Sequence, residues 1–189
     1  MKSTEILIRT TSEQYNEAVK ECRELFLNKT RDYGTSWTVL RPISVVDQIF
    51  IKAQRIRTIQ EKKEQKVGDN IRSEFIGIVN YGIIGLIQIE YDPGSNELPP
   101  AVVTNWYDEM IAVCRKVMQD KNHDYGEAWR SMSQESFADL ILMKLMRIRQ
   151  ILSNDGKTLV SEGVDANFTD IVNYSLFALI LIDEGIHNG

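Results

Sequence analysis

Apolar side chains recur at intervals of three and four residues along most of the chain, which is the spacing of amphipathic α-helices. Val19, Cys22 and Phe26 show this spacing near the start of the chain. The pattern predicts six helices, over residues 12–29, 44–60, 71–90, 103–121, 136–152 and 167–184. The apolar run at 83–89 would also suit a strand. Its counterpart SLFALILID favours a helix, so we predict helices for both segments.

The second three helices repeat the sequence of the first three. A shift of 92 positions aligns KTRDYGTSW (29–37) with KNHDYGEAW (121–129), and IKAQRIR with MKLMRIR. After one inserted residue, FIGIVNYG aligns with FTDIVNYS. Polar and aromatic residues match as well as apolar ones, which indicates a tandem duplication. We predict copy one at 1–90, a Pro- and Gly-rich connector at 91–102, and copy two at 103–189.

Three short helices bury little apolar surface by themselves, so the two copies should pack against each other as one domain. The predicted fold is therefore all-α, a helical bundle built from two tandem three-helix repeats related by a pseudo-twofold axis. The glycine of each DYG motif should end the first helix of its copy, because glycine readily adopts the left-handed backbone that closes helices.

Composition narrows the possible partners. The formal net charge of -5 argues against binding to duplex nucleic acid, which depends on neutralising phosphates. We find no apolar run long enough for a signal peptide or a membrane span, so we expect a cytoplasmic protein that does not bind membranes. Cys22 and Cys114 follow the apolar pattern of helices and should be buried, reduced thiols. A homodimer is a further hypothesis.

The second helix of each copy carries charged side chains among apolar ones. They are Asp47, Lys52 and Arg55 in copy one and Asp139, Lys144 and Arg147 in copy two. The lysines and arginines are predicted to bind phosphate oxygens. The alternative is a solvated face with a few salt bridges.

The third helix adds polar residues that point to a ligand or a metal ion. The predicted ligand-binding residues are Asn80 and Tyr81 in copy one and Asn173 and Tyr174 in copy two. Carboxylates on facing helices can hold Mg²⁺, which prefers oxygen ligands. The predicted metal ligands are Glu135, Asp139 and Asp170, with Asp47 in copy one, and Asp139 and Asp170 are also the predicted catalytic residues. Copy two is expected to hold the better site, because Gly77 replaces Asp170 in copy one.

The repeated motif K-x-x-D-Y-G-x-x-W supplies the remaining candidates for ligand binding. These are Lys29, Asp32, Tyr33 and Trp37 in copy one and Lys121, Asp124, Tyr125 and Trp129 in copy two. The aromatic rings could stack on a base, and the aspartates could accept hydrogen bonds from it. Equally, the motif could be a structural corner in which glycine ends the helix and tryptophan fills the end of the bundle.

Together these motifs resemble a family called nucleotide-modification-associated domain type 1. The resemblance implies a nucleotide-binding protein linked to modified-nucleotide metabolism. The segment TDIVNYSLFALILID is also similar to the last helix of MazG-like all-α nucleoside triphosphate pyrophosphatases, which implies a Mg²⁺-dependent pyrophosphohydrolase. Each copy keeps half of their E-x-x-D motif, as Glu74 with Gly77 and as Asn167 with Asp170. A non-catalytic nucleotide- or metabolite-binding module and a helical protein-interaction domain are the alternatives.

Overall fold

The computed structural model describes residues 9–64, 66 and 68–189, and the regular elements in this part of the chain are all helical. The α-helices are α1 (Thr11–Tyr33), α2 (Pro42–Lys62), α3 (Ile71–Tyr91), α4 (Pro100–Tyr125), α5 (Gln134–Ser153) and α6 (Val164–Asp183). Short 3₁₀-helices at Ser36–Val39 and Ala128–Ser131 precede α2 and α5 in equivalent positions. The prediction of an all-α fold with two three-helix repeats is confirmed.

Both copies extend their first helix beyond the predicted end. The D-Y part of each motif forms the last turn of α1 or α4 and is not a loop, because the helical hydrogen bonding continues to the glycine. The backbone N–H groups of Gly34 and Gly126 donate to the carbonyls of Thr30 and Asn122, at 2.9 and 3.0 Å. Both glycines have positive φ, so they end the helices as predicted.

The two copies meet along α3 and α6, the most buried helices of the bundle. Small residues allow these helices to approach closely. A Cβ atom at Gly82 would lie 2.6 Å from Val172 Cγ2, and one at Gly85 would lie 2.7 Å from Phe168 Cζ. Helices α2 and α5 pack beside this central pair and against each other, while α1 and α4 also contact both central helices.

A buried network of two tyrosines and two asparagines connects the copies reciprocally. The Tyr15 hydroxyl of α1 donates to Asn173 Oδ1 of α6 at 2.8 Å, and the Asn173 amide donates to the Cys114 carbonyl of α4 at 3.0 Å. The pseudo-twofold related bonds have the same lengths: Tyr107 donates to Asn80 Oδ1, whose amide group donates to the Cys22 carbonyl. We call these groups the Tyr–Asn network.

Burial raises the pKa of both tyrosines well above the usual value, so the hydroxyls remain protonated donors. It likewise raises the pKa of the Cys22 thiol, and that of Cys114 to about 12. Both cysteines are free and buried, as predicted.

Exposed ion pairs repeat the same symmetry at the contact between α2 and α5. Arg149 of α5 pairs with Asp47 of α2 at 2.7 Å, and Arg57 of α2 approaches Asp139 of α5 at 3.8 Å. Exposed pairs of this kind contribute little to stability, although they match the pseudo-twofold relation of the copies. Among the described residues, no helix is both long and apolar enough to cross a membrane.

We predict that Tyr15→Phe and Tyr107→Phe each lower the free energy of unfolding by about 1–3 kcal/mol. Each change leaves a buried asparagine oxygen without its donor, and an unsatisfied buried group carries a cost of that size. Because the two bonds are equivalent, the two losses should be similar. Chemical denaturation of the purified variants measures both.

Tyr125→Phe is the matched control, since the Tyr125 side chain is 73% exposed and lies outside the network. Its effect should stay within about 0.5 kcal/mol. Losses at Tyr15 and Tyr107 no larger than this control would contradict a stabilising role for the network.

Candidate functional site

In copy one, a single buried carboxylate is shared by two cations of the second helix. Glu74, in the first turn of α3, is 5% exposed. It accepts from Lys52 Nζ at 3.2 Å and forms a close ion pair with Arg55. The Arg55 guanidinium also donates to the Asp69 carbonyl at 2.6 Å.

In copy two, the buried carboxylate lies one helical turn further along. Asp170 of α6 is 6% exposed and accepts from Lys144 Nζ and Lys121 Nζ, both at 2.6 Å. Burial by itself would lower the pKa of Lys121, but the hydrogen bond and the charge of Asp170 raise it above the usual value. Lys144 is 6% exposed, so its pair with Asp170 is a buried structural ion pair.

The shifted carboxylate leaves a different cation without an acidic partner in each copy. Each copy places three equivalent cations around one acid, and the acid joins only two of them. In copy one the third cation is Lys29, which has no hydrogen bond or ion pair within the described part of the chain. In copy two it is Arg147, whose guanidinium lies 3.8 Å from Met143 Sδ and meets no carboxylate of the described residues.

Lys29 lies at a cavity of about 260 Å³ between α1, the first 3₁₀-helix, α2 and α3. We call it the first-copy pocket. The sequence-predicted ligand residues that line it are Lys29, Tyr33, Trp37, Lys52, Asn80 and Tyr81. The structure therefore brings most of the predicted ligand residues of copy one to one place.

Three positions in this pocket carry smaller or less complementary residues than in copy two. Gly77 stands at the position of Asp170, Ile84 at that of Phe177, and Thr30 at that of Asn122. The aliphatic part of Lys52 lies over Gly77, where an added Cβ would be 2.8 Å from Lys52 Cε.

The environment of the repeated tryptophan differs accordingly. In copy two, Trp129 stacks on Phe177 with ring centroids 4.2 Å apart, and its indole N–H donates to Asn122 Oδ1 at 3.1 Å. In copy one, Trp37 Nε1 is buried and has no hydrogen-bond partner among the described residues. The Thr30 hydroxyl does not accept from it and instead donates to the Phe26 carbonyl.

The predicted metal ligands do not converge. Asp139 and Glu135 line a shallow cavity with Arg57, whereas Asp47 pairs with Arg149 and Asp170 with two lysines. Asp139 is thus separated from Lys144 and Arg147, although all three share helix α5. Within the described residues, no three His, Cys, Asp or Glu side chains are grouped so that they could hold a metal ion. The residues present do not fit the expected Mg²⁺ site.

The other predicted site residues are distributed between the core and the surface. Asn173 belongs to the Tyr–Asn network, which uses both the oxygen and the nitrogen of its amide, so the structure gives it an interior role. Asn80 makes the equivalent bonds at the floor of the first-copy pocket. Asp32, Asp124 and Tyr125 are exposed.

Tyr174 is half-buried and packs near the Phe137 ring, with centroids 6.5 Å apart. The sequence prediction also omitted the positions that make the copies different, above all Ile84, Phe177 and Asn122. These positions are mismatches between the aligned copies, whereas the prediction of the site rests on the positions that match.

We predict that Asp170→Asn lowers the free energy of unfolding by about 3–5 kcal/mol, because it leaves the Lys144 ammonium buried without a carboxylate. The exposed Asp32→Asn is the control and should change it by less than about 0.5 kcal/mol. Denaturation curves compare the two variants, and an equally small effect of both would rule out a structural pair at Asp170.

Comparison with known proteins gives a family. The family model described as Nucleotide modification associated domain 1 matches the chain twice, over residues 29–89 and 121–182. No curated protein and no solved structure matches the chain. The similarity to MazG-like pyrophosphatases stays a prediction. The two tandem matches together cover more than half of the chain, which therefore belongs to the Nucleotide modification associated domain 1 family.

Proposed function

We propose that the chain binds a nucleotide in the first-copy pocket. The observation that carries this proposal is that copy two fills the equivalent positions with its own side chains. Those side chains supply a carboxylate, an aromatic ring and a hydrogen-bond acceptor, so a ligand that completes copy one should offer the same three groups.

The anionic group of the ligand would take the place that the Asp170 carboxylate has in copy two. There, the two equivalent lysines hold Asp170 at 2.6 Å. In the first-copy pocket Gly77 leaves this place without a carboxylate, while Lys29 and Lys52 are retained. Lysine ammonium groups bind phosphate oxygens through charge-assisted hydrogen bonds.

The flat part of the ligand would take the place of the Phe177 ring. Phe177 covers the face of Trp129 nearly parallel, at an interplanar angle of 5°. Ile84 is not aromatic, so the face of Trp37 lacks this partner in copy one. Aromatic side chains stack on bases of any sequence, and each stacked base contributes about 1–3 kcal/mol.

An acceptor atom on the ligand would satisfy the indole of Trp37. A buried donor without a partner costs roughly 1–3 kcal/mol, so a ligand that accepts this hydrogen bond gains affinity. Carbonyl oxygens and ring nitrogens of bases are acceptors of this kind. Tyr33 is 71% exposed at the same pocket and offers a second ring at its mouth.

A nucleotide combines all three groups, and its size is suitable. The pocket, at about 260 Å³, lies just below the range of roughly 300–1,000 Å³ that is typical of small-molecule sites. It would therefore hold one mononucleotide and not a polymer. The family description, which refers to nucleotide modification, supports the same class of ligand.

The proposal is binding without hydrolysis. Glu74 and Asp170, the buried acids nearest to the cations, are each occupied by two basic side chains. Neither is placed to activate water. We therefore expect no Mg²⁺-dependent release of pyrophosphate from nucleoside triphosphates, in contrast to the activity that the MazG-like resemblance implies.

Isothermal titration with a panel of mononucleotides tests the proposal. Nucleosides, which lack the phosphate, should bind at least about tenfold more weakly than the best nucleotide. A phosphate and pyrophosphate assay of the triphosphates with Mg²⁺ runs alongside. Turnover would contradict the non-catalytic proposal, and a panel that shows no binding at millimolar concentration would contradict nucleotide binding.

We predict that Gly77→Asp abolishes nucleotide binding at the first-copy pocket, which the titration detects as a loss of affinity. The new carboxylate would attract Lys29 and Lys52 as Asp170 attracts its two lysines, and the flexible end of Lys52 can move to accept it. Gly68→Asp is the matched control, because it adds the same charge where a Cβ meets no atom within 4 Å. Equal affinity of the two variants would place the ligand elsewhere.

We predict that Lys29→Ala weakens nucleotide binding about 10- to 100-fold, the scale of a charge-assisted hydrogen bond. The melting temperature should not change, since Lys29 is exposed and has no ion-pair partner within the described residues. Lys20→Ala, an exposed lysine earlier on the same helix, controls for the loss of net charge. If both variants bind as the unmodified chain does, Lys29 does not contact the ligand.

A further inference from the structure

We propose that copy two contains a second ligand site, which differs in position and chemistry from the first-copy pocket. It lies at a cavity of about 720 Å³ between the end of α5, residues 154–163 and the start of α6. We call it the second-copy cavity. We propose that its ligand is a small anion that also carries hydroxyl groups, such as a sugar phosphate.

A buried acceptor at this cavity has no hydrogen-bond partner among the described residues. Asn167 is 3% exposed and lines the cavity. Its amide nitrogen donates to the Gly163 carbonyl at 2.8 Å, which fixes the orientation of the amide group. The other end, Asn167 Oδ1, has no hydrogen-bond partner among the described residues. Buried acceptors of this kind normally have a donor, and a ligand hydroxyl would supply one.

A cation at the same cavity also lacks an acidic partner among the described residues. Arg147 lines the wall formed by α5, and its guanidinium meets no carboxylate in the part of the chain that is described. Lys157 also lines the cavity and has no ion pair among the described residues. A planar guanidinium pairs well with phosphate or carboxylate oxygens.

At the equivalent positions of copy one, two protein side chains pair with each other. Glu74 occupies the position of Asn167, and it forms an ion pair with Arg55, the equivalent of Arg147. Replacing that glutamate by asparagine in copy two leaves both the arginine and the amide oxygen without a partner. The copies thus differ in where the acid is missing. Copy one lacks it at the position of Asp170, and copy two lacks it at the position of Glu74.

The chemistry of the ligand follows from these groups. Two cations, Arg147 and Lys157, and one carboxylate, Glu162, line the cavity, so its charge is positive on balance and favours an anion. The Asn167 Oδ1 atom requires a hydrogen-bond donor. Gln150, at the same wall, can donate to and accept from further hydroxyl groups. Among the described residues no aromatic side chain lines the cavity, so a ring-stacking ligand has no advantage there, and a phosphorylated sugar suits it better than a base does.

Titration with ribose 5-phosphate, monitored by calorimetry, tests the inference. The unmodified chain should bind it, and uncharged ribose should bind at least tenfold more weakly. Asn167→Glu should reduce the affinity at least tenfold, because it gives Arg147 the internal acid that Arg55 already has in copy one. Copy one carries glutamate at this position, so the variant should fold, and a melting curve verifies this.

Arg147→Gln provides a second variant that does not touch the core, since this side chain is exposed. It too should reduce the affinity at least tenfold at an unchanged melting temperature. Gly77→Asp should leave ribose 5-phosphate binding unchanged, which separates this site from the first-copy pocket. No binding up to millimolar concentration, or equal binding by the Asn167→Glu and unmodified proteins, would overturn the inference.

Discussion

The reciprocal hydrogen bonding of the Tyr–Asn network is the interaction on which the arrangement of this bundle depends. Each buried asparagine must satisfy both an acceptor and a donor, and it does so only if a tyrosine of the other copy and a carbonyl of its own copy are both in place. The network therefore fixes α1 and α4 relative to α3 and α6. It also fixes the floor of the first-copy pocket, because Asn80 lines that pocket and accepts from Tyr107.

The position of one buried carboxylate in each copy is a second constraint on the structure. Both copies keep three equivalent cations near one buried acid, and the acid has moved by one helical turn between Glu74 in copy one and Asp170 in copy two. The move changes which cation is left without a partner. Both copies keep the helices and the network, while this one displacement leaves Lys29 in copy one and Arg147 in copy two without an acidic partner among the described residues.

The sequence predicted the parts of the structure that depend on repetition. The duplicated helices, the glycines that end α1 and α4, and the all-α class follow from periodicity and from matched motifs. The expected metal ligands do not converge, because a helical wheel gives the angle between Asp139 and Lys144 but not the helices that they face. Asp139 faces α2 and Lys144 faces α6, so the two side chains serve different contacts.

The differences between the copies have effects that depend on contacts between helices, which the sequence does not show. Gly77 of copy one stands where copy two has Asp170, and from the sequence alone the additional acid favours copy two as the ligand site. In the structure that acid is already paired, and the Lys52 side chain lies over the glycine, beside a pocket that Lys29 also lines. The effect of this mismatch depends on which side chains of other helices contact Gly77 and Asp170.

The most direct test of the central claim is a crystal structure of the chain with a nucleoside monophosphate. The proposed function predicts the phosphate within hydrogen-bonding distance of Lys29 Nζ and Lys52 Nζ, beside Gly77, with the base against the face of Trp37. Electron density for the nucleotide that lies only at copy two, or only on the outer surface of α2 and α5, would contradict it.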